Sequence, residues 1–400
     1  MRFGMVTTFY PPYSYGGDGT YVRSLAKSMV ALGHEVEIIT STDAYRVRSK
    51  DDGRAETAID KGVKVHRLRH PAGILAPIIS HQTGLPGLNT AGLRQFFAKP
   101  FDVLHFHNVS LMGAPGVFGM GEAKVRLLSL HDHWLVCPTH VLWKNRERAC
   151  DRRTCFTCSI RSGLPPQLWR YTGLRDRYLH QIDRILAPTR FAADMHQANG
   201  IKEPIEVLPL FSTIDGAAER PPVRQNRIVF VGRLTALKGI AKLLEVVADM
   251  PDIELLVIGD GELKAELTAT YASKKNIRFL GRENQEDLAR HYAAANAIIF
   301  PSIVPETFGL TLVEAAACGT PAIVAKGSGG AAEIVRTTGG GLLYDGEREL
   351  ADAIRRLVCD RALRDRLGAS ARAGYEANYT EEKHVAGYLR HIDEALHGRN

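Results

Sequence analysis

Two carboxylates, Glu306 and Glu314, stand eight residues apart in the stretch PSIVPETFGLTLVEAAACGTP, residues 301–321. An apolar, strand-like run, Ala297 to Phe300, leads into it, and a helical run closes it at Cys318-Gly319. Gly319 is a natural helix terminator and Pro321 cannot continue the helix. Glu306 falls on the loop before this helix. Glu314 falls inside it, among Leu312, Val313, Ala315, Ala316 and Ala317, where a carboxylate without a partner is costly. Such a group wants hydroxyls, amides or a cation. The amides of Phe308, Gly309, Leu310 and Thr311 point forward from the helix N-terminus, which suits a phosphate. A phosphate-binding end and a hydroxyl-seeking carboxylate about a turn apart describe half of a site for a nucleoside diphosphate sugar. An Ala-rich core helix with Glu314 bonded inside the protein accounts for the same residues, and physics alone does not choose between the two.

Three other groups of residues carry chemical potential. Gly232-Arg233-Leu234-x3-Lys238-Gly239 sets two cations at the end of a strand. Either alone is an ordinary surface residue, but two fixed cations converging on a diphosphate would stabilise a leaving group. Gly16, Gly17 and Gly19 follow the first strand and permit close backbone approach. Their spacing is not the dinucleotide fingerprint, which argues against a nicotinamide enzyme. Cys137, Cys150, Cys155 and Cys158 give C-x12-C-x4-C-x2-C and account for four of the six cysteines. A reduced chain would not use them as structural disulfides. Four thiolates would close a tetrahedral structural zinc site, with His140 able to replace one of them. An iron–sulfur cluster, or cysteines that bind nothing, are the alternatives. The same loop is basic and aromatic, with Trp143, Lys144, Arg146, Arg148, Arg152 and Arg153.

Glu306-x7-Glu314, embedded in PS-x3-ET-x-G-x4-EA-x2-CG-x-P, resembles the signature of retaining glycosyltransferases of family 4, and the likeness extends over nearly the whole chain. The resemblance implies the GT-B architecture: two doubly wound, Rossmann-like α/β domains facing across a cleft. It implies transfer of a sugar from a nucleoside diphosphate donor, with retained configuration, to a hydroxyl of a glycan or lipid-linked acceptor. His131, in His131-Asp132-His133, matches the family histidine beside the transferred sugar. Arg233 and Lys238 match the pair that grips the pyrophosphate, and Gly16-Gly17 matches the loop covering the donor phosphates. The stretches Val257 to Gly261 and Leu280-Gly281 match those near the nucleotide base, and Gly329-Gly330 with Glu333 matches a further family stretch. By the same resemblance Glu306 orients sugar hydroxyls and Glu314 the ribose hydroxyls. Family catalysis does not depend on a metal, so a zinc here would be structural. The cysteine-rich insertion is a departure from the family pattern. So is Ser212-Thr213-Ile214-Asp215, where an Asn-Gly-Val-Asp run is usual.

The elements that must position these residues alternate. Strand-like runs at 2–9, 36–41, 63–68, 101–108, 125–132, 183–189 and 205–210 are followed by others at 227–233, 253–261, 277–281, 297–301 and 322–326, with helical stretches between them. That predicts two parallel α/β sheets, with ligands at the carboxyl ends of the strands. The 400 residues suit two domains. The expected division is an acceptor-side domain over 1–207 carrying the cysteine-rich loop 137–158, a linker over 208–226, a nucleotide-sugar domain over 227–379, and a helix over 380–400 that crosses back in this family. Residues 71–97 read as a long irregular, partly apolar stretch. His105 and His107, two apart on one strand, face the same side and read as core or strand-end residues.

The net charge of +7 is unevenly shared: residues 1–190 hold 26 Lys and Arg against 15 Asp and Glu, and residues 191–400 hold 25 against 29. A basic first half beside apolar loops suits a lipid-phosphate acceptor and peripheral contact with an anionic membrane. RNA would suit the charge, but no nucleic-acid motif accompanies it. No apolar run approaches the roughly 20 residues of a membrane span. The chain enters a strand at its first residues and leaves no room for a signal peptide, so the expected location is cytoplasmic, at the inner face of the membrane where the acceptor is lipid-linked. Two competing readings remain. A nucleotide-sugar epimerase or hydrolase of this fold would keep the donor site without an acceptor. A zinc-bearing RNA-binding protein would leave Glu306, Glu314, Arg233 and Lys238 unexplained.

Overall fold

The computed structural model describes residues 1–47, 58–214 and 226–398. Most of the linker expected over 208–226 lies outside the described residues. The chain divides into two compact units, one formed by Met1–Leu208 together with residues from Val385 on, the other by Pro209–His384.

The first unit is built on eight strands: β1 (Arg2–Val6), β2 (Glu35–Ser41), β3 (Ala58–Asp60), β4 (Val63–Leu68), β5 (Phe101–Phe106), β6 (Ala123–Ser129), β7 (Arg184–Ala187) and β8 (Ile205–Val207). Their order across the sheet is β8-β7-β6-β5-β1-β2-β4-β3, and only the β3–β4 pair is antiparallel. A parallel sheet is covered on both faces, so its strands read as apolar runs with little alternation. Accordingly Phe3, Met5, Val6, Val103, Leu104, Phe106, Leu127 and Leu128 are all buried. The antiparallel edge strand β3 was not foreseen.

The second unit carries β9 (Arg227–Val231), β10 (Glu254–Ile258), β11 (Ile277–Gly281), β12 (Ala297–Phe300), β13 (Ala322–Ala325) and β14 (Gly341–Tyr344), all parallel, in the order β11-β10-β9-β12-β13-β14. The order reverses between β9 and β12, which lie side by side with Ile228 against Ala297 and Val229 against Ile298. In the first sheet it reverses between β1 and β5. Crossovers leave such neighbouring strands on opposite faces, and a crevice opens beyond their carboxyl ends. Every candidate residue of the donor site lies in a loop, a strand end or a helix that follows one of these strands.

Two further stretches differ from the sequence expectation: the strand β14, which had no counterpart in it, and residues 71–97. Residues 71–97 are not irregular: they form a helix over Leu75–Thr83, a 3-10 turn and a second helix over Thr90–Phe96. The first helix ends at Gly84, whose φ of +70° closes it through a bond from its amide to Ser80 O. Its Leu75, Ile78 and Ile79 remain exposed, so the apolar pattern that betrays a half-buried helix is blurred. Among the described residues no helix is long and apolar enough to cross a membrane.

Candidate functional site

The helix Leu310–Ala317 starts at Gly309 and ends in a Schellman arrangement, with Gly319 N bonded to Ala316 O and Thr320 N to Ala315 O. Gly319 takes the left-handed φ of +62° that this ending requires. At the other end Leu312 N bonds back to Gly309 O at 2.9 Å, while the amides of Leu310 and Thr311 have no hydrogen-bond partner among the described residues. The Thr311 hydroxyl at that end is buried and has no hydrogen-bond partner among the described residues. Buried polar groups are seldom left so, and one at a helix N-terminus marks a place for an anion or a hydroxyl.

Glu306 lies in the loop after β12, tied by its backbone to the start of the helix Gly330–Thr338, which follows β13, through Glu306 N to Ser328 O (3.0 Å) and Gly330 N to Glu306 O (2.8 Å). Its Oε1 accepts from Lys238 Nζ at 2.6 Å and from Ser302 Oγ at 2.7 Å. Its Oε2 has no hydrogen-bond partner among the described residues. Burial pushes this carboxyl up, but Lys238, with Ser302 and Arg233, outweighs burial and holds it below the usual carboxylate range. Glu314 is buried at 7% exposure and accepts from the Tyr292 hydroxyl through Oε2 at 2.8 Å, while Oε1 has no partner among the described residues. With no cation beside it, burial pushes Glu314 up to about 7, against a smaller downward pull from Tyr292. Thus each glutamate anchors one oxygen in the protein and leaves the other unengaged.

The loop after β9 is strapped to the loop after β12. Gly239, at φ +67°, packs so closely that a Cβ would stand 1.9 Å from Pro301 O. Ile303 N and Ser302 Oγ both bond to Leu237 O. This brings Lys238 to Glu306. Arg233 is exposed and forms no ion pair among the described residues. Gly259, after β10, packs its backbone against Gly232 O and bonds to Gly281 O, next to Leu280 at the end of β11. The ends of β9, β10, β11 and β12 therefore converge on one rim, with Lys238, Glu306, Leu280 and the N-terminus at Leu310 along it.

In the first unit, His131 follows β6 and bonds through Nε2 to Nδ1 of His107, which follows β5, at 3.0 Å. Tyr21, from the helix Gly17–Ala31 behind the exposed Gly16-Gly17 loop, packs against the His131 ring at 5.3 Å. Burial, then His105 and His131, pushes His107 far below the usual imidazole range, so it stays neutral. His105 is satisfied inside the fold by Tyr388 and Ser129.

The profile described as Glycosyl transferase 4-like domain matches residues 16–210. The profile described as Glycosyl transferases group 1 matches residues 213–374. The D-inositol 3-phosphate glycosyltransferase of Mycolicibacterium vanbaalenii is 31% identical over an alignment covering 94% of this chain and 86% of that protein. The chain belongs to the group 1 glycosyltransferases. This glycosyltransferase is also similar in fold to sucrose-phosphate synthase from Thermosynechococcus elongatus, with a TM-score of 0.74 and 20% identity over the whole of both chains. A second solved structure similar to it is Anabaena HepE in complex with UDP and glucose, with a TM-score of 0.68 and 17% identity over 99% of both chains.

The glycosyltransferase holds Cys137, Cys150, Cys155 and Cys158 around one small cavity in the first unit. His140 is not among that cavity's lining residues; its Nδ1 meets Asp132 Oδ2 at 3.1 Å, which ties it to the strand end that bears His131. Tyr292, Ser302 and His107 are the partners that sequence reasoning did not assign to the site. Ser302 stands within the quoted PS-x3-ET run, so its signal was present. Tyr292 comes from a different helix, Gln285–Ala294, and carries no mark in the sequence.

Proposed function

We propose that this group 1 glycosyltransferase moves a sugar from a nucleoside diphosphate donor to a hydroxyl of a glycan or lipid-linked acceptor with retention of anomeric configuration. The observation that carries this reading is the pair of half-engaged glutamates about the open N-terminus at Leu310. Glu314 Oε1 would accept from ribose hydroxyls, and Glu306 Oε2 would accept from hydroxyls of the transferred sugar. The helix amides, the Thr311 hydroxyl, Lys238 and Arg233 would hold the diphosphate and stabilise the charge that grows on it as the C1–O bond breaks. The acceptor oxygen would bond to C1 on the face the diphosphate leaves, and its proton would pass to the departing phosphate oxygen. Glu306 is already committed to Lys238 and Ser302, which suits a positioning role better than that of a nucleophile. In the first unit, the candidate to serve a sugar hydroxyl is His131, fixed from behind by His107. The basic, apolar surface of that unit, with exposed Leu75, Ile78 and Phe156, supports an acceptor carrying a phosphate and an apolar chain.

The direct test is a thermal-shift panel of UDP, GDP, ADP and their common sugars on wild type and Glu314→Gln. A rise with one nucleotide that the variant loses is the expected outcome and fixes the donor class. If no nucleotide or sugar raises the melting temperature of the wild type, the donor-site reading fails.

A further inference from the structure

We infer that Cys137, Cys150, Cys155 and Cys158 together hold one zinc ion, and that this ion fastens the segment behind His131 to the short helix Cys155–Arg161. The four side chains come from three local structures, of which the hairpin and the helix are also joined by Asn145 N to Cys158 Sγ and by the Arg146 guanidinium to Ser162 O. Cys137 ends a turn in which its amide bonds to His133 O at 2.8 Å. Cys150 follows a hairpin of two-residue strands, Trp143–Lys144 and Arg148–Ala149, and bonds back to Leu142 O. Cys155 and Cys158 lie three apart on one face of a seven-residue helix. Two-residue strands and a seven-residue helix are too short to hold together by their own hydrogen bonds, so a cross-link among them has structural purpose.

The surroundings suit thiolates and a metal. All four cysteines line one cavity of about 20 Å³, room for a single atom-sized guest. The hairpin turns through Asn145 and Arg146, both with left-handed φ (+55° and +65°) that side chains seldom adopt. That turn aims the Asn145 backbone amide at Cys158 Sγ at 3.3 Å, the kind of amide-to-sulfur bond that orients a metal-binding cysteine. Arg170 is half-buried close to Cys137 and Cys155, and its guanidinium donates to Trp134 O, Leu135 O and the Gln167 side chain. It has no carboxylate partner among the described residues. A half-buried cation without a carboxylate is favoured by a nearby anion, and a zinc with four thiolates carries a net charge of minus two.

The thiols stand around the cavity in an open arrangement. Among the described residues, only Glu206, His391 and Glu394 bring three metal-ligating atoms within 4.8 Å of one another, and there the contact is an ion pair, His391 Nδ1 to Glu206 at 2.6 Å. Zinc bonds of about 2.3 Å would draw the four sulfurs to roughly 3.8 Å from one another. Binding would require the cysteine side chains to turn about χ1 toward the cavity. With four protein ligands no position stays open for water, so the ion would be structural.

The test is metal analysis of the full chain, purified reduced and without chelators, followed by cobalt(II) substitution of the wild type. About one zinc per chain is expected, with an intense thiolate-to-cobalt charge-transfer band and the visible d–d bands of a tetrahedral site. Cys155→Ser combined with Cys158→Ser should lose both, while Cys359→Ser, at an exposed cysteine outside the cluster, should keep both. The cobalt spectrum needs no variant, so a variant that fails to fold leaves the question answerable. Absence of metal together with absence of the cobalt band overturns the inference. Iron with acid-labile sulfide in place of zinc overturns it too.

Discussion

Glu314 offers a quantitative test of the donor site, because its carboxyl is pushed to about 7 by burial and its free oxygen is proposed to accept from ribose hydroxyls. Only the ionised form can accept through both oxygens, so donor binding would favour loss of the proton. With a carboxyl near 7, about a tenth of the free protein is ionised at pH 6 and about nine tenths at pH 8. The apparent Kd of the cognate nucleotide sugar should therefore fall about tenfold over that interval. Close to one proton should be released per ligand bound at pH 6. A nucleotide sugar is the right probe, since its diphosphate is esterified at both ends and has no ionisation of its own in that range. Titration calorimetry in two buffers of different ionisation enthalpy measures the proton count directly. Glu314→Gln should bind more weakly, with a Kd indifferent to pH and no linked proton. Parallel pH dependence in wild type and variant would refute the reasoning. The same shift has a stability counterpart. A carboxyl raised from 4.5 to about 7 contributes fully below pH 4.5, and that contribution is lost as the pH rises to about 7. The loss comes to about 3 kcal/mol.

Other perturbations follow from the same geometry. Tyr292→Phe removes the one bond that draws Glu314 down, so the midpoint of the proton-linked binding should move above 7. Lys238→Met should lower turnover by about 10²–10³-fold while leaving the fold intact, read from nucleotide release and circular dichroism. It should also raise the Glu306 carboxyl, which Lys238 now holds down. Gly239→Ala adds a Cβ 1.9 Å from Pro301 O at a φ of +67° and should cost about 1–3 kcal/mol. Tryptophan fluorescence would miss that loss, because Trp134, Trp143 and Trp169 all belong to the first unit; circular dichroism or hydrogen exchange of peptides from 227–384 would report it.

The sequence exposed the sheets because buried parallel strands are written as unbroken apolar runs, and it exposed the end of the helix Leu310–Ala317 because only glycine suits a left-handed cap there. Glu306 and Glu314 were legible as candidate chemistry, but their types and spacing alone suited a core helix equally well, and the wider motif around them tipped the reading. Their partners were less so. Tyr292 reaches Glu314 from another helix, a pairing set by how helices pack on β12 and not by local spacing. The helix Leu75–Thr83 escaped notice because its apolar residues point outward as well as inward. The bland alternative for Glu314, a bond inside the protein, turned out to hold for one of its oxygens and not the other.

The helix Glu381–His397 begins with His384 bonded to Pro209 O in the second unit and continues with Tyr388 buried in the first, against His105 and Phe3. Its sequence position has a consequence for synthesis. All eight strands of the first sheet have been translated once residue 207 is made, yet the side chain that fills its core at His105 arrives some 180 residues later. At about 5–20 residues per second the gap is roughly ten to forty seconds. For that interval the nascent first unit has its whole sheet but an unfilled pocket, and it depends on the last turns of the chain to finish. A chain stopped short of Tyr388 would therefore be damaged at its beginning, the part made first.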